Sequence, residues 1–319
     1  MNEKTKFILG TMTFGPQVKE DEAKQMVRLF LDAGYRELDT AYGYNNGVTE
    51  EILGRIMNEF SIADYSLAAK VNPIITGRLD AASINMQFSE SLSRLSRDSV
   101  DILYLHYPDP GTPVENTLKA CSELYGQGKF KEFGLSNFPA WMVVDVWHIC
   151  NNNGWPLPKV YQGLYNGLSR KAESELFPAL KKLGMRFYAY NPLAGGILTG
   201  KYKDYTENPS LGRFTIKPSY RDRYWKKSFF DAMNILASTC RNEEITLVEA
   251  AYRWLIYHSE MDNQNGDGII VGASSLRQLE QNLNAPEKGP LPSSIIEAFD
   301  NAWEETRAES PEYYRLITK

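Results

Sequence analysis

Eight short apolar runs, each followed by a segment of helical periodicity, constrain the fold of this 319-residue chain more than any other feature. The runs are KFILG (6–10), YRELDT (35–40), YSLAAKV (65–71), DILYLHY (101–107), FKEFGLS (130–136), KVYQGLY (159–165), MRFYAYN (185–191) and GIIVGA (268–273). Apolar spacing predicts helices near 21–33, 49–59, 81–95, 114–125, 140–151, 172–183, 228–239, 247–258, 276–283 and 294–307. Met26, Val27, Phe30 and Leu31, for example, fall on one helical face. Strands that alternate with helices pair in parallel through right-handed crossovers. Eight such units close more naturally into a (β/α)8 TIM barrel than into an open sheet. No Pro/Gly/Ser-rich linker divides the chain, so residues 1–319 read as one domain. Two long connections stand out, 195–225 after the seventh run and the tail beyond Arg307. Connections of that length in a compact domain usually cap a site.

Charge and cysteine content narrow the function. Lys and Arg total 35 against 40 Asp and Glu, a net charge of −5 with no basic block, which argues against a nucleic-acid partner. Cys121, Cys150 and Cys240 show no CxxC or metal spacing and are odd in number, so they read as reduced intracellular thiols. The start, MNEKTKFILG, lacks the apolar region of a signal peptide. No apolar run approaches the roughly 18 residues of a membrane span. The triplet Asn208-Pro209-Ser210 is blocked as a glycosylation acceptor by its proline. A cytoplasmic protein without a metal site is the expectation.

In a barrel of this kind the carboxyl ends of the strands carry the chemistry. There the sequence places Asp39 and Tyr44, Lys70, His106, Ser136 and Asn137, Gln162, Tyr190, and Ser274 with Ser275. Taken singly, Lys70 reads as a side chain snorkelling at a strand end and His106 as a core histidine. Three successive strands ending on ionisable or phenolic groups are harder to explain by packing. A phenol titrates near 10, too high for proton transfer at neutrality. An ammonium such as Lys70 favours the phenolate, and Asp39 can hold Lys70 charged. Neutral His106 can orient a carbonyl oxygen beside the Tyr44 hydroxyl. This set suits protonation of a carbonyl as it becomes an alkoxide, with a hydride donor supplying the electron pair.

The glycine-rich stretch Gly195–Lys201 fits GxxxxGK, but Tyr202 follows where a Ser or Thr would hold Mg²⁺. The glycines, Gly195 and Gly196 among them, still let backbone N–H groups approach a pyrophosphate, and Lys201 adds charge. No GxGxxG motif opens the chain, so a Rossmann site is not expected.

The motifs DTAYGY, AAKV, LYLHYPD, GLSNF, YQGLYN, NPLAGGILTGKY and GASSLRQLEQNL stand in the order and spacing of the aldo-keto reductases, which the chain resembles from about Ile8 to Arg315. SYRDRYWKKSFFD and SPEYYR resemble the aflatoxin-aldehyde and succinic-semialdehyde reductase branch. The segment between Arg213 and Tyr220 is shorter than in that branch, and Leu316 to Lys319 continue past the arginine that ends it. The resemblance implies a (β/α)8 barrel, NADPH as cofactor and a small carbonyl compound as substrate. It makes Tyr44 the general acid, Lys70 the group that lowers its pKa, Asp39 the support of Lys70, and His106 the residue that orients the substrate.

The same resemblance assigns cofactor contacts. Asp39, Ser136, Asn137 and Gln162 surround the nicotinamide, and Tyr190 stacks on it. Asn191, Pro192, Leu193, Gly195, Gly196, Lys201 and Arg213 belong to the loop over the dinucleotide. Gly272, Ser274, Ser275, Arg277 and Gln278 sit at a helix start suited to a 2′-phosphate. Gln281 and Asn282 reach the adenine. Arg223 in the long loop and Arg315 in the tail, with Tyr220, line the substrate pocket beside His106, where two guanidiniums suit a carboxylate or a pair of oxygens.

The leading expectation is an NADPH-dependent reductase of aldehydes or reactive ketones, with short acidic aldehydes or dicarbonyls as substrates, a detoxifying role, and a homodimer as the assembly to test. Two alternatives stand beside it. One is a dedicated biosynthetic ketoreductase of one bulky metabolite. The other is a slow-turnover, NADPH-binding regulatory subunit like the potassium-channel β-subunits of the superfamily.

Overall fold

The computed structural model describes residues 6–207, 209 and 212–316. Asn208 and Ser210 of the proline-blocked triplet, and Ile317, Thr318 and Lys319 of the tail, lie outside the described residues. Eight strands, β1 (Lys6–Gly10), β2 (Glu37–Asp39), β3 (Ser66–Val71), β4 (Val100–Leu105), β5 (Phe130–Ser136), β6 (Pro158–Leu164), β7 (Arg186–Tyr190) and β8 (Gly268–Val271), follow one another around a closed parallel barrel. β8 closes onto β1, with Ile8 opposite Ile270. The expected (β/α)8 barrel is therefore the architecture found.

Around it run α1 (Glu20–Asp32), α2 (Val48–Met57), α3 (Pro73–Thr76), α4 (Ala81–Leu95), α5 (Val114–Gly126), α6 (Ala140–Asn153), α7 (Leu176–Leu183), α8 (Arg213–Ile216), α9 (Pro218–Tyr224), α10 (Lys227–Asn242), α11 (Leu247–Tyr257), α12 (Leu276–Leu283) and α13 (Ser293–Thr306). The middles of the longer strands are apolar on both faces because both are covered, and the polar residues sit toward the strand ends. On β4, Ile102 and Tyr104 fill the barrel interior with Ile8, Ala68, Val160, Tyr188 and Ile270, whereas Leu103 and Leu105 pack outward beneath the helices. At the amino-terminal end Lys6, Glu37 and Arg186 gather around the Tyr188 hydroxyl, closing the floor with polar groups.

Two expectations need correction. The helix anticipated over 172–183 is broken: Glu175 has φ −134°, so a 3-10 turn (Lys171–Glu173) precedes a shorter α7. The long connection 195–225, for which the apolar spacing predicted no helix, contains α8 and α9. Both elements matter to the mouth, because α9 is held there by side chains from the end of β7. The tail reaches the mouth from the other side. Tyr313 is buried, its hydroxyl accepting from Ala140 N at 3.0 Å and donating to Glu175, and Arg315 N donates to Asn137 O at 3.0 Å. Among the described residues, no helix is long and apolar enough to cross a membrane.

Candidate active site

The four residues singled out from the strand ends meet in one cluster. Lys70, fully buried on β3, donates to Asp39 Oδ1 at 2.5 Å and to Thr40 O at 2.7 Å. The second oxygen of Asp39 accepts from Gln162 Nε2 at 2.8 Å. Asp39 is thereby clamped from two sides of the barrel and holds the ammonium in place. That ammonium lies 5.1 Å from the centre of the Tyr44 ring. His106, immediately after β4, meets the same ring edge-on at 5.9 Å.

Electrostatics here follow burial. The His106 imidazole is pushed well below its ordinary range by burial and then by Lys70, so it is neutral at pH 7. Its Nδ1 is buried and has no hydrogen-bond partner among the described residues. Burial lowers Lys70, and the Asp39 carboxylate opposes that shift. Tyr44 departs from expectation. Burial first, and the Asp39 carboxylate second, push its phenol well above 10 rather than below it. Lys70 spends its hydrogen bonds on Asp39 and Thr40 and meets Tyr44 through the ring face, so it does not offset the burial. Tyr44 is held as the protonated phenol, which is the form an acid must have.

These groups open into a cavity of about 870 Å³ lined by Asp39, Tyr44 and His106 and by most residues expected at a dinucleotide. Ser136, Asn137, Gln162, Tyr190, Asn191, Pro192, Leu193, Gly195, Gly196, Lys201, Arg213, Gly272, Ser274 and Gln278 all line it. Several have protein partners that the sequence did not disclose. Asn137, at φ 62°, donates to His106 O and Ser136 Oγ, both at 2.9 Å, and accepts from the Tyr190 hydroxyl at 2.6 Å. Asn191 engages the hydroxyls of Tyr220 and Tyr224, so its visible work is to hold α9 over the barrel.

The helix start expected to take a phosphate is partly occupied by the protein itself. Ser275 Oγ caps Gln278 N at 3.3 Å, and Leu276 N donates to Glu22 Oε1 at 2.9 Å. Ser274 gives both its N–H and its hydroxyl to Gln278 Oε1, at 3.0 and 2.9 Å. Arg277 and Gln281 are exposed, Asn282 is buried, and none of them, nor Ser275, lines the cavity. The donor set nevertheless suits a dinucleotide. Gly195 and Gly196 have φ of 68° and 116°, which keeps backbone close to the cavity, and Lys201 and Arg213 bring two cations to it.

Arg223 and Arg315 do converge. Both line the main cavity and an annex of about 220 Å³ between α9 and the tail. Arg223 lies over the Tyr220 ring at 5.7 Å and Arg315 over the Tyr107 ring at 5.9 Å. Tyr107 itself was not foreseen, although it stacks on His106 at 4.6 Å and lines the cavity. Met12, Thr13, Ile74, Ile75 and Lys217 were also missed. Met12 and Thr13 follow β1, so the rule about strand ends could have found them. Ile74 and Ile75 read in sequence as ordinary apolar residues.

The family model described as "Aldo/keto reductase family" matches residues 6–304. "Aflatoxin B1 aldehyde reductase member 2" of Mus musculus is 45% identical, covering 97% of this chain and 87% of the relative. The human protein of the same name is 44% identical over 97% of this chain and 89% of its own length. Human "Aldo-keto reductase family 7 member A3" is 42% identical over 97% of this chain and 96% of its own. With a closed parallel barrel of eight strands, a buried polar cluster at its mouth and these full-length similarities, the chain belongs to the aldo/keto reductase family, as an oxidoreductase that reduces aldehydes or ketones.

Proposed function

We propose that this protein is an NADPH-dependent aldehyde reductase in which Tyr44 is the general acid, and that residues 1–319 form one catalytic domain working in the cytoplasm as a homodimer. The observation that carries the reading is the meeting of Asp39, Tyr44, Lys70 and His106 beside a cavity that Gly195, Gly196 and Lys201 also line. Gly195, Gly196 and Lys201 with Ser136, Asn137, Gln162 and Ser274 would hold NADPH, which when bound would supply the hydride for the carbonyl carbon. Tyr44 gives its phenolic proton to the carbonyl oxygen, so the product is the alcohol. Neutral His106 donates one hydrogen bond to that oxygen and fixes its direction. Asp39 holds the Lys70 ammonium in place, and that ammonium is the positive charge nearest the phenolate left on Tyr44. The deciding experiment is a panel of aldehydes and ketones run with NADPH and with NADH. Turnover of a single bulky ketone alone marks a dedicated biosynthetic enzyme, and nucleotide binding without turnover marks a regulatory subunit.

Cofactor choice is one expected result. NADPH binds more tightly than NADH, with Ser274 and Arg277 taking the 2′-phosphate after Gln278 turns away from Ser274. A charge-assisted hydrogen bond contributes about 1.5–3 kcal/mol, so Arg277→Ala lowers the NADPH-to-NADH affinity ratio by about 10- to 150-fold. Fluorescence titration with both nucleotides measures it. An unchanged ratio transfers the phosphate to Lys201 or Arg213, both of which line the cavity.

Substrate choice is another. The mouse and human relatives are named for an aldehyde, and the paired arginines add an anionic end to the class. Succinic semialdehyde is expected to have a much lower KM than an uncharged aldehyde of equal length. Arg223→Ala or Arg315→Ala raises the KM of the acid about 10-fold or more and leaves that of the neutral analogue nearly unchanged. Equal effects on the two substrates rule out a carboxylate at this pair. Truncation after Arg315 shows in the same assay whether the last four residues, Leu316 to Lys319, shape the pocket.

A further inference from the structure

Tyr44 sits at the head of an unusual turn. Asn45, Asn46 and Gly47 have φ of 50°, 56° and 92°, three successive residues in the left-handed region. Such conformations are unfavourable for side-chain-bearing residues and persist only where the surroundings over-determine them. One side of the turn is held by Asn45, whose Nδ2 donates to Met12 O at 2.8 Å and to Thr49 Oγ1 at 3.0 Å. The other side is held by a residue from a different part of the chain, Arg94 in the last turn of α4.

The Arg94 guanidinium touches the Tyr44 segment at both ends. Before Tyr44 it lies 4.6 Å from the centre of the Tyr42 ring and 3.5 Å from Tyr42 O. After Tyr44 it packs on Gly47 so closely that a Cβ there would fall 2.7 Å from Cζ. It then reaches the fully buried carboxylate of Glu50 at 3.4 Å. Glu90, one turn back on α4, anchors the guanidinium at 3.0 Å and accepts from the Tyr42 hydroxyl at 2.8 Å. A planar fork with five donors can bridge this many partners at once, and an ammonium cannot. The buried Glu50 charge also requires a cation beside it.

We propose that Arg94 is the positioning residue of the active site: with Glu50 and Glu90 it bolts the Tyr42–Glu50 segment to α4 and so sets where the Tyr44 hydroxyl stands. Arg94 is not among the residues that line the cavity. The kinetic half of the inference rests on Tyr44 being the general acid, and the structural half does not.

The test uses the full-length protein and has two arms. In hydrogen–deuterium exchange without nucleotide, Arg94→Ala speeds exchange of the amides across 42–50 and leaves those of β5 and β6 unchanged. In single-turnover reduction at saturating NADPH, the rate falls about 10- to 100-fold, the scale on which misplacing a reacting group slows a reaction. NADPH affinity does not change. In a Tyr44→Phe background the same substitution causes no further loss, because changes acting through one group do not add. Should Arg94→Ala fail to fold, Arg94→Lys keeps the charge, loses the fork and follows the same pattern in weaker form. Unchanged exchange across 42–50 overturns the clamp. A loss that adds fully to that of Tyr44→Phe overturns its link to the acid. Absence of any carbonyl reduction by the wild type sinks the proposed function instead, and the exchange arm still decides the clamp.

Discussion

Tyr44→Phe lowers turnover by about 10²- to 10⁴-fold, the range general acid catalysis supplies, while the fold and NADPH affinity are retained. The ring remains to pack beneath the Lys70 ammonium and against His106, so only the proton is removed. The pH profile sharpens the test. Burial raises the Tyr44 phenol, so the acid form persists through neutrality and reduction declines only as pH rises past that elevated value. Burial and Lys70 lower His106, so no second decline is expected as pH falls through the usual histidine range near 6.5. A variant that stays within about threefold of wild type, far short of the loss expected of a missing acid, removes Tyr44 from the mechanism. An acid limb centred on 6.5 instead makes His106 a titrating participant.

Lys70→Met produces the second large effect, and it appears first in stability. The substitution keeps the unbranched stem but removes the terminal ammonium, leaving the buried Asp39 carboxylate with its Gln162 hydrogen bond and without the Lys70 charge. Breaking a buried pair by removing one partner costs about 3–5 kcal/mol, whereas replacing both partners together is often neutral. Urea denaturation of Lys70→Met should therefore show a loss on that scale, and Lys70→Met combined with Asp39→Asn should recover most of it. Turnover behaves differently, staying low in both variants because neither restores the cation over the Tyr44 ring. Recovery of activity along with stability places Lys70 in the scaffold only.

How much of this was legible before folding depended on the range of the interaction. Strand positions were readable because a strand covered on both faces is a near-continuous apolar run, with polar residues such as Asp39, Lys70 and Gln162 confined to its ends. The runs at 6–10 and 130–136 coincide with β1 and β5, and that at 65–71 contains β3. Helix ends were readable where caps are local, as at Asp80, whose carboxylate accepts from Ser83 N at 2.9 Å. The break at Glu175 was not, since the residue's own chemistry permits a helix and the bend is set by packing, with the Tyr313 hydroxyl bonded to its carboxylate.

For the site, the sequence by itself determined which side chains stand at the barrel mouth. Parallel strands put every carboxyl end on one face, so Asp39, Lys70, His106 and Gln162 had to share it once the alternation was recognised. What they do to one another was decided only by closure of the barrel. Gln162 reaches Asp39 across 123 residues of chain, and Arg94 reaches Glu50 across 44. Neither contact has a local signature, because side chains far apart in sequence meet only after the loops between them have been closed. The same holds for the Tyr44 phenol. Its neighbours Lys70 and Asp39 were visible in the sequence, but the sign of its shift depended on burial and on which face the ammonium meets, and those are properties of the packed barrel alone.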